Sequence, residues 1–501
     1  MSFSTLIQRK GSPLVLSVKD NILTVFPYEN TLIDTTKIES YDLKYLYGIE
    51  LKNTPPVLDI HICHVNQPAQ NEDRKELSSS KHKAAVWERH ILSFEALDTT
   101  MFADGYKYLG LDAFVNRIRA QNLPESSIIA STHISVILNR HSGLRNAFDN
   151  WTDIVQPMLV IAGYKQHNIT VVETKADGKT RETAKEIGKA VLENTVPTIV
   201  ICLGGDGTLH EVVNGLSDAY DLQQTSVKSS QNNHTPPTFR LGVVPSGSGN
   251  AFSLSLNLSS IEHSALQIIK GKSEKFKLMD ISFGYCSSDS PRWYEDVTYM
   301  TDKQPIRLLV VMSWGFHAQV VSQARKLDFS LGNQRFGMVA MDLLTNLKNY
   351  SGQVAMIGAR KYIRANQKFG NTEEKPILVD GVHDRQFTYF LVSKQASLEP
   401  GFNITPFASH SSEDMDVLMF REVTAAQLQE ASIKAFQGGR HVTEDEEDLI
   451  EYYKTPELFL RVDEPDELCL DGEIHGLGKD GVVHVKIIGP DQGEPEFEAF
   501  V

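Results

Sequence analysis

Cysteine is scarce in this sequence, and its distribution excludes the chemistry that clustered thiols provide. Only four cysteines are spread over 501 residues, and none forms a Cys-x-x-Cys pair. A disulfide framework and a thiolate zinc site both need cysteines at short, repeated spacings. The four thiols are therefore expected to be free and buried, as in a reducing compartment.

Long hydrophobic runs and an excess of basic charge are also missing. No apolar segment approaches the length of about 20 residues that a membrane-spanning helix needs, and residues 1–20 lack the apolar core of a signal peptide. The net charge is −15, so broad attraction to nucleic acid or anionic lipid is not expected. These absences predict a cytoplasmic protein, and a local basic patch would still let it associate with membranes peripherally.

The length of 501 residues allows two or three domains, and the pattern of predicted strands and helices changes twice along the chain. Residues 1–128 carry short strand-like runs and one amphipathic stretch, which predicts a β-rich module compatible with a pleckstrin-homology-like barrel or another small β fold. Residues 129–277 alternate strands and helices, which predicts a parallel α/β domain. Residues 278–501 predict a β-sandwich, with one strand over Ile306–Ser313. A polar run at 221–237 predicts a surface loop.

The strongest chemical signal follows the predicted strand Thr198–Leu203. The next residues, Gly204 to Thr208, read Gly-Gly-Asp-Gly-Thr and lead into a helix. Glycines at a strand end let the backbone approach a ligand, and N–H groups at the start of a helix favour an anion such as phosphate. Asp206 is able to bind magnesium or to accept a proton from an attacking hydroxyl. The run is neither a Walker loop nor a Gly-x-Gly-x-x-Gly fingerprint.

Two further turns carry similar small residues. The strand Leu241–Val244 ends in Pro-Ser-Gly-Ser-Gly-Asn-Ala, where Ser248 is able to bond a phosphate oxygen and Asn250 to orient a nucleotide or its metal. The turn Asn139–Gly143 ends the first strand of the α/β section. Because the carboxyl ends of parallel strands meet at one edge of a sheet, the three turns predict a nucleotide cleft.

These motifs resemble the signatures of the diacylglycerol kinase catalytic family. Gly204–Leu216 reads GGDGTLHEVVNGL and Pro245–Ala251 reads PSGSGNA, and both are most similar to the sphingosine and ceramide kinase branch. The resemblance covers roughly Ile134 to Ile488. It implies an α/β nucleotide-binding domain of the NAD kinase and diacylglycerol kinase type joined to a lipid-holding β-sandwich. It also implies an ATP-dependent lipid kinase with ATP and Mg²⁺ as cofactors.

The resemblance also implies roles for individual residues. Asp206 matches the catalytic base that takes the proton of the lipid hydroxyl. The nucleotide site is expected to contain Asn139, Thr174, Gly204, Gly205, Gly207, Thr208, Glu211, Ser248, Asn250, Arg335, Asp471, Gly472 and Glu473. Arg325 is a second basic candidate, and Glu211 is placed to steady the loop or to help hold magnesium. The set of metal ligands is not defined by the sequence.

One departure from the family pattern concerns the substrate. Ser313–Phe316 resembles the Trp-Gly-Phe segment of sphingosine kinases, after which acids normally hold the sphingoid head group. This chain continues with His317 and has no acid through Val321. A cationic amine wants a carboxylate partner, so the gap favours a neutral lipid such as ceramide or diacylglycerol, unless Asp280 supplies the acid. The expected substrate contacts are Asp280, Trp314, Phe316 and His317.

Two other functions stay open from the sequence. An NAD kinase shares the Gly-Gly-Asp-Gly-Thr loop and would act on a soluble substrate, although the long strand-rich section and the Trp-Gly-Phe segment oppose it. A relative that binds lipid or nucleotide without turnover would fit the missing acid and Arg140, which replaces the family's usual proline after Asn139. The expected partners are a lipid substrate and a transiently contacted membrane surface, with a homodimer left open and no nucleic acid.

Overall fold

The structure is a computed structural model of the protein, and it describes a set of residues that covers most of the chain. These residues are 3–27, 38–53, 56–66, 86–96, 110–174, 178–193, 196–227, 236–302, 304–327, 332, 334–444 and 449–501. All four cysteines lie within them as free, buried thiols, which confirms that part of the prediction.

The first sheet is built from the N-terminal strands. They are β1 (Phe3–Arg9), β2 (Ser12–Lys19), β3 (Ile22–Pro27), β4 (Glu39–Asp42), β5 (Leu46–Asn53), β6 (Pro56–Asn66) and β7 (Val86–Ala96), followed by helices α1 (Leu111–Asn122) and α2 (Ser126–Ser131). The seven strands form one antiparallel sheet in the order β4-β3-β2-β1-β7-β6-β5. The strand-rich texture predicted for this section is present, and its likeness to a pleckstrin-homology domain stays a prediction.

The second sheet carries the glycine turns. Its section contains β8 (His133–Leu138), α3 (Ala147–Asp149), α4 (Gln156–Ala162), β9 (Ile169–Glu173), α5 (Thr180–Glu193), β10 (Thr198–Gly204), α6 (Asp206–Val227), β11 (Thr238–Pro245), α7 (Ala251–Ser255), α8 (Ile261–Lys270) and β12 (Ser273–Phe276). Strands β9, β8, β10 and β11 are parallel neighbours, which confirms the predicted α/β domain. The central strand β10 is buried almost throughout, as expected when helices cover both faces of a parallel sheet.

Helix α6 is longer than the sequence predicted. The polar run from position 221 was expected to be a loop, but the helix continues to Val227. Asp221 explains part of this difference, because its carboxylate accepts hydrogen bonds from the buried Arg307 guanidinium. Residues 228–235 of the run lie outside the described residues.

The C-terminal section is rich in strands, as predicted. It contains β13 (Leu278–Tyr285), β14 (Thr298–Tyr299), β15 (Ile306–Leu308), β16 (Val311–Gly315), α9 (Phe316–Ala324), α10 (Gln334–Leu344), β17 (Gly352–Ile357), β18 (Arg360–Ile363), β19 (Lys368–Phe369), β20 (Ile377–Asp380), β21 (Phe387–Ser393), β22 (Met415–Arg421), α11 (Ala425–Ala435), α12 (Arg440–Thr443), β23 (Ile450–Thr455), β24 (Glu457–Val462), β25 (Asp466–Leu470), β26 (Glu473–Leu477) and β27 (Gly481–Ile488). Two sheets run in the orders β14-β13-β27-β24-β17-β20 and β19-β18-β23-β22-β21-β16-β25-β26, with β15 pairing β13. Buried side chains from both sheets, including Met279 and Phe390, share one hydrophobic core.

The predicted strand Ile306–Ser313 is divided between these two sheets. Strand β15 pairs with β13 in one sheet, and β16 pairs with β21 and β25 in the other. Between them, the N–H groups of Leu309 and Val310 donate to the carboxylate of Asp471 and not to a neighbouring strand. A side-chain acceptor therefore interrupts a strand that looks continuous in the sequence.

The final strand, β28 (Glu496–Phe500), leaves the C-terminal section and completes the α/β sheet. It runs parallel to β11 and antiparallel to β12. Phe497 stands opposite Phe239 and Phe276, with ring centroids 5.4 and 5.6 Å away. The predicted section 278–501 thus includes a strand that belongs to the α/β sheet.

Candidate active site

The three predicted glycine turns meet at the carboxyl end of the parallel sheet. The N–H of Ser246 donates to the carbonyl of Gly204 over 2.9 Å, and the N–H of Asp206 donates to the carbonyl of Gly249 over 2.9 Å. These two bonds join the turn after β10 to the turn after β11. The arrangement that the sequence predicted for these turns is therefore observed.

The contacts between the turns are so close that glycine is required. A Cβ atom on Gly247 would lie 2.2 Å from the Cα of Gly205, and a Cβ on Gly143 would lie 2.7 Å from the carbonyl oxygen of Ser246. Gly143 also has a φ of +53°, which disfavours other residues. The glycines thus allow three backbones to touch.

Asp206 is the first residue of α6, and its carboxylate ties that helix to the second turn. One oxygen accepts the N–H of Ala251 over 2.7 Å and the other accepts the N–H of Phe252 over 3.1 Å. Burial raises the pKa of Asp206 to about 6, the two N–H groups oppose this shift, and the nearby Asp471 adds to it. A carboxylate whose pKa is close to the working pH is suited to general base chemistry.

Two asparagines predicted to touch nucleotide build the turns themselves. Asn139 donates its amide N–H to Thr208 Oγ1 over 2.9 Å and accepts the N–H of His141 over 3.0 Å. Asn250 closes its own turn, because its amide donates to the carbonyl of Gly247 over 2.7 Å and accepts the N–H of the same residue over 3.1 Å. Direct nucleotide contacts by both residues stay predictions.

The other residues predicted on this side of the cleft lie around the same edge. Thr174 follows β9 and is buried, with its N–H donating to the carbonyl of Leu138 over 2.8 Å. Ser248 is half-buried in the second turn, and Gly207 is exposed. Glu211 is half-buried one turn further along α6, on the same face as Gly207.

Arg140 has a structural role that accounts for its presence in place of the family's proline. Its guanidinium forms two hydrogen bonds with the Glu173 carboxylate, of 2.5 and 2.7 Å. It also lies over the ring of Phe148, 3.7 Å from the centroid. The arginine therefore links the turn after β8 to the end of β9.

Asp471 connects the C-terminal sheets to the helix that begins at Asp206. Its buried carboxylate accepts the N–H groups of residues 309–311 over 2.8–2.9 Å. The same carboxylate lies 3.0 Å from Nδ1 of His210, one turn beyond Asp206 on α6. Sequence reasoning missed His210, although its spacing of four residues from Asp206 placed both on one helix face.

The remaining predicted nucleotide contacts surround the turn between β25 and β26. Arg325 donates to the carbonyl of Gly472 over 2.8 Å and to the carboxylate of Glu473 over 2.8 and 3.1 Å. Arg335 is buried on α10 with its guanidinium 4.9 Å from the Phe336 ring. Burial and the charge of Arg325 lower the pKa of Arg335. Two guanidinium groups therefore lie near this turn.

A pocket of about 120 Å³ opens between α9 and α10. It is lined by Phe316, Gln319, Gln323, Leu343, Asn346, Lys348 and Tyr350. Phe316 is the one predicted substrate contact among these described lining residues. None of them is acidic, in agreement with the missing acid noted in the sequence.

Two of the other predicted substrate contacts differ in burial, since Trp314 lies in the protein interior and His317 is half-buried. Trp314 is 1% exposed within the core shared by the two sheets, and its indole N–H donates to Asp466 over 2.7 Å. His317 lies 2.7 Å from the Ser313 hydroxyl, and burial lowers the pKa of His317 to about 4. Both side chains are placed to hold the segment beside the pocket.

Asp280 stands apart from both the pocket and Asp206. On β13 it is opposite Arg307 and Lys486, and burial raises its pKa while these cations oppose the shift. Arg307 binds Asp221, which is about 22 Å along the α6 axis from Asp206 at 1.5 Å per residue. The structure does not bring Asp280 to the glycine turns.

Part of this chain is similar to known proteins. Residues 133–281 match the family model described as diacylglycerol kinase catalytic domain. Sphingosine kinase 1 of Caenorhabditis elegans is 25% identical over 242 residues, which is 44% of this chain and 42% of that protein. Sphingoid long-chain bases kinase 1 of Arabidopsis thaliana is 32% identical over 45% of this chain and 25% of its own. Human ceramide kinase is 24% identical over 46% of this chain and 38% of its own.

The matched region therefore spans less than half of each of these relatives. Among solved structures, a diacylglycerol kinase from Bacillus anthracis str. Sterne is 14% identical, with a TM-score of 0.44 over 74% of this chain and 96% of that chain. None of the described helices combines the length and hydrophobicity that crossing a bilayer requires. The family model covers both glycine motifs, in agreement with the resemblance read from them, and this chain is also similar to proteins named as sphingosine, sphingoid base and ceramide kinases.

Proposed function

We propose that this chain is an ATP-dependent lipid kinase that phosphorylates a primary hydroxyl of a long-chain lipid, such as a sphingoid base, a ceramide or a diacylglycerol. The observation that carries the proposal is that three glycine turns meet around Asp206. Burial raises the pKa of this aspartate to about 6. The relatives named as sphingosine and ceramide kinases support the lipid class.

The glycine turns fit a nucleoside triphosphate. The N–H groups at the start of α6 favour a phosphate, and no atom lies within 4 Å of the position that a Cβ of Gly207 would take. Glu211, on the same face, offers carboxylate oxygens of the kind that Mg²⁺ prefers. ATP supplies the phosphoryl group when bound, and Mg²⁺ offsets the charge of its phosphates.

Asp206 is the base in this proposal. Its two N–H partners, Ala251 and Phe252, each occupy one oxygen, and an ionised carboxylate has further lone pairs to accept the proton of a lipid hydroxyl. Arg335 is the proposed source of positive charge near the turn at Asp471, while Arg325 beside it is already paired with Glu473. Phosphoryl transfer needs such positioning and charge compensation more than covalent chemistry.

The pocket between α9 and α10 is the proposed lipid entrance. Phe316 and Leu343 give it apolar walls, whereas Lys348 would repel a cationic amine. This lining favours a head group without a positive charge. Met338 and Met341 are each 57% exposed on α10, so we expect this helix to face the membrane surface from which the lipid comes.

A labelled-ATP assay tests the proposal. Wild-type protein is incubated with micelles of ceramide, diacylglycerol, sphingosine or phytosphingosine, and with NAD as the soluble alternative. We expect phosphorylation of lipid and not of NAD, with ceramide or diacylglycerol preferred over the two sphingoid bases. Asp206→Asn should lower turnover by about 10²–10⁴-fold, the range for loss of a general base.

The exposed Asp491 provides a matched control, since Asp491→Asn removes a carboxylate far from the glycine turns in sequence and on the surface. Circular dichroism should show both variants to be folded. Normal lipid turnover in Asp206→Asn would exclude the proposed base, and a preference for NAD would exclude the lipid assignment.

A further inference from the structure

One face of α6 carries a row of polar residues that are buried. After Asp206 come His210, Asn214, Asp218 and Asp221, at spacings of three or four residues that place them on one side of a helix. His210, Asn214 and Asp218 are each less than a tenth exposed. Buried polar groups need partners, and the partners of this row come largely from the C-terminal section.

Several of the partners lie in the segment 304–311, which runs along α6 in the opposite direction, while Asp218 also accepts two hydrogen bonds of 2.8 Å from Arg181 of α5. Gln304 donates its amide N–H to Asp218 over 2.8 Å. Asn214 makes two bonds of 2.8 Å to the backbone of Arg307, one accepted and one donated. The contact point thus moves toward Asp206 as the segment advances.

Charged groups hold the segment near its middle and at its C-terminal end. The Arg307 guanidinium, which is 3% exposed, donates to Asp221 over 3.0 Å and to Glu494 over 3.1 Å. At the C-terminal end, Asp471 accepts the N–H groups of residues 309–311 and lies 3.0 Å from His210.

The same segment leads directly to the proposed lipid pocket. It continues as β16, which ends at Gly315, and the next residue, Phe316, lines the pocket. Asp206 begins the helix on the other side. The helix and the segment therefore form a continuous covalent and hydrogen-bonded route between the pocket and the proposed base.

We propose that the polar face of α6 connects Asp206 to the segment 304–311, so that the position of Asp206 depends on the position of the segment. We call this coupling the connection, and we propose that His210 is its positioning residue. The inference rests on the proposed function, because it assigns the connection to lipid phosphorylation. His210 does not touch substrate in this account. It fixes the first turns of α6 against Asp471, so that the carboxylate of Asp206 faces a lipid held by the C-terminal section.

Kinetics of three variants test this role. His210→Leu removes the ring nitrogens at similar volume, and His210→Asn keeps an amide N–H close to the position of Nδ1. Ser217→Ala is the matched control, because Ser217 lies on the same helix, is fully buried, and its hydroxyl has no hydrogen-bond partner among the residues that the structure describes. We expect His210→Leu to lower kcat at least about tenfold with KM for ATP and lipid changed less than threefold. His210→Asn should recover most of the loss, and Ser217→Ala should behave as wild type.

A second measurement does not depend on turnover. Hydrogen exchange of the peptide that covers residues 305–315 is followed in wild type with and without the non-hydrolysable analogue AMP-PNP and Mg²⁺. We expect the analogue to slow exchange of the amides of Leu309 to Val311 at least about threefold. In His210→Leu this response should disappear while the Kd of the analogue changes less than threefold.

The outcomes separate the two proposals. A nucleotide response at residues 309–311 that His210→Leu abolishes, without lipid turnover in wild type, supports the connection and contradicts the lipid kinase. Lipid turnover with an unchanged kcat in His210→Leu contradicts the connection alone. The proposal is overturned if His210→Leu lowers kcat, raises KM and lowers thermal stability to a similar extent, and His210→Asn recovers none of these losses. The histidine would then have a structural role only. Absence of any nucleotide response in wild type overturns it as well.

Discussion

At the scale of single residues, the carboxyl group of Asp206 determines the pH range in which the proposed site works. Its pKa is raised to about 6 by burial, and a general base must be ionised to accept a proton. We expect kcat at saturating substrates to fall as the pH drops below about 6, with one proton taken up. Labelled-ATP assays between pH 5 and 9 measure this profile.

Protonation of Asp206 would not unfold the protein, so unfolding caused by this residue does not explain the expected fall of kcat at low pH. Because the folded-state pKa lies above the ordinary value of 3.8, the folded protein binds this proton more tightly than the unfolded chain does. The contribution of Asp206 to stability is therefore complete below about pH 3.8 and is lost as the pH rises through about 6. Circular dichroism at each pH checks that the protein stays folded, and a flat kcat profile down to pH 5 would contradict the role of the carboxylate.

Two glycines of the turns allow a further residue-scale prediction. Gly247→Ala places a methyl group 2.2 Å from the Cα of Gly205, whereas Gly207→Ala meets no atom within 4 Å. We expect Gly247→Ala to lower the free energy of unfolding by about 1–3 kcal/mol, as over-packing usually does. Gly207→Ala should leave stability within about 0.5 kcal/mol but weaken ATP binding, because its methyl group enters the space assigned to phosphate. Urea unfolding and ATP titration measure the two effects, and unchanged ATP binding in Gly207→Ala would contradict the assigned phosphate position.

The sequence could predict those parts of the site whose residues lie close together along the chain. Asp206 and its glycines stand in one short run, so their turn and their chemistry were predicted from local rules. The bond between His210 and Asp471 joins residues 261 positions apart, and no periodicity signals such a pair. Trp314 was assigned to the substrate by resemblance, but its size and apolar neighbours place it in the core.

At the scale of elements, β28 is a strand distant in sequence that completes the α/β sheet. Phe497 is 2% exposed between Phe239 and Phe276. Phe497→Ala should therefore lower the free energy of unfolding by about 3–5 kcal/mol, measured by urea denaturation. Glu496→Ala on the same strand removes an ion pair with the exposed Lys275 and should cost about 0–1 kcal/mol. A small effect of Phe497→Ala would mean that β28 is not part of the sheet.

The elements also show where pattern reasoning stops. The strands of the parallel sheet were predicted because burial on both faces leaves a continuous apolar run. The sequence of residues 306–313 is also largely apolar and predicts one continuous strand. In the structure, however, Asp471 accepts the N–H groups of Leu309 and Val310 in the middle of this run, and the two halves belong to different sheets. The length of α6 was underestimated because the partner of Asp221, Arg307, is 86 residues away.

At the scale of the whole molecule, the N-terminal sheet is packed against the α/β section. Buried residues of both, such as Leu46 and Ile269, belong to one hydrophobic core. Lys270 on α8 donates to the carbonyls of Leu43 and Asn122, and burial lowers the pKa of this lysine to about 8. These contacts favour a bracing role for the N-terminal section over that of an independently folding domain.

Trp87 allows this whole-molecule argument to be tested. Its indole N–H donates to Ser259 over 2.9 Å, and its ring stacks on His263 of α8 with centroids 4.2 Å apart. Because Trp87 is only half-buried, we expect Trp87→Ala to cost about 2–3 kcal/mol, below the 3–5 kcal/mol of a fully buried tryptophan. Hydrogen exchange should accelerate together in β5–β7, α8 and β11, while β17 and β24 keep their protection. Trp293→Ala is the control, since Trp293 is buried against the C-terminal sheets and should loosen β24 and leave β5–β7 unchanged. Faster exchange in β5–β7 alone after Trp87→Ala would instead describe a separate N-terminal domain whose folding the α/β section does not share.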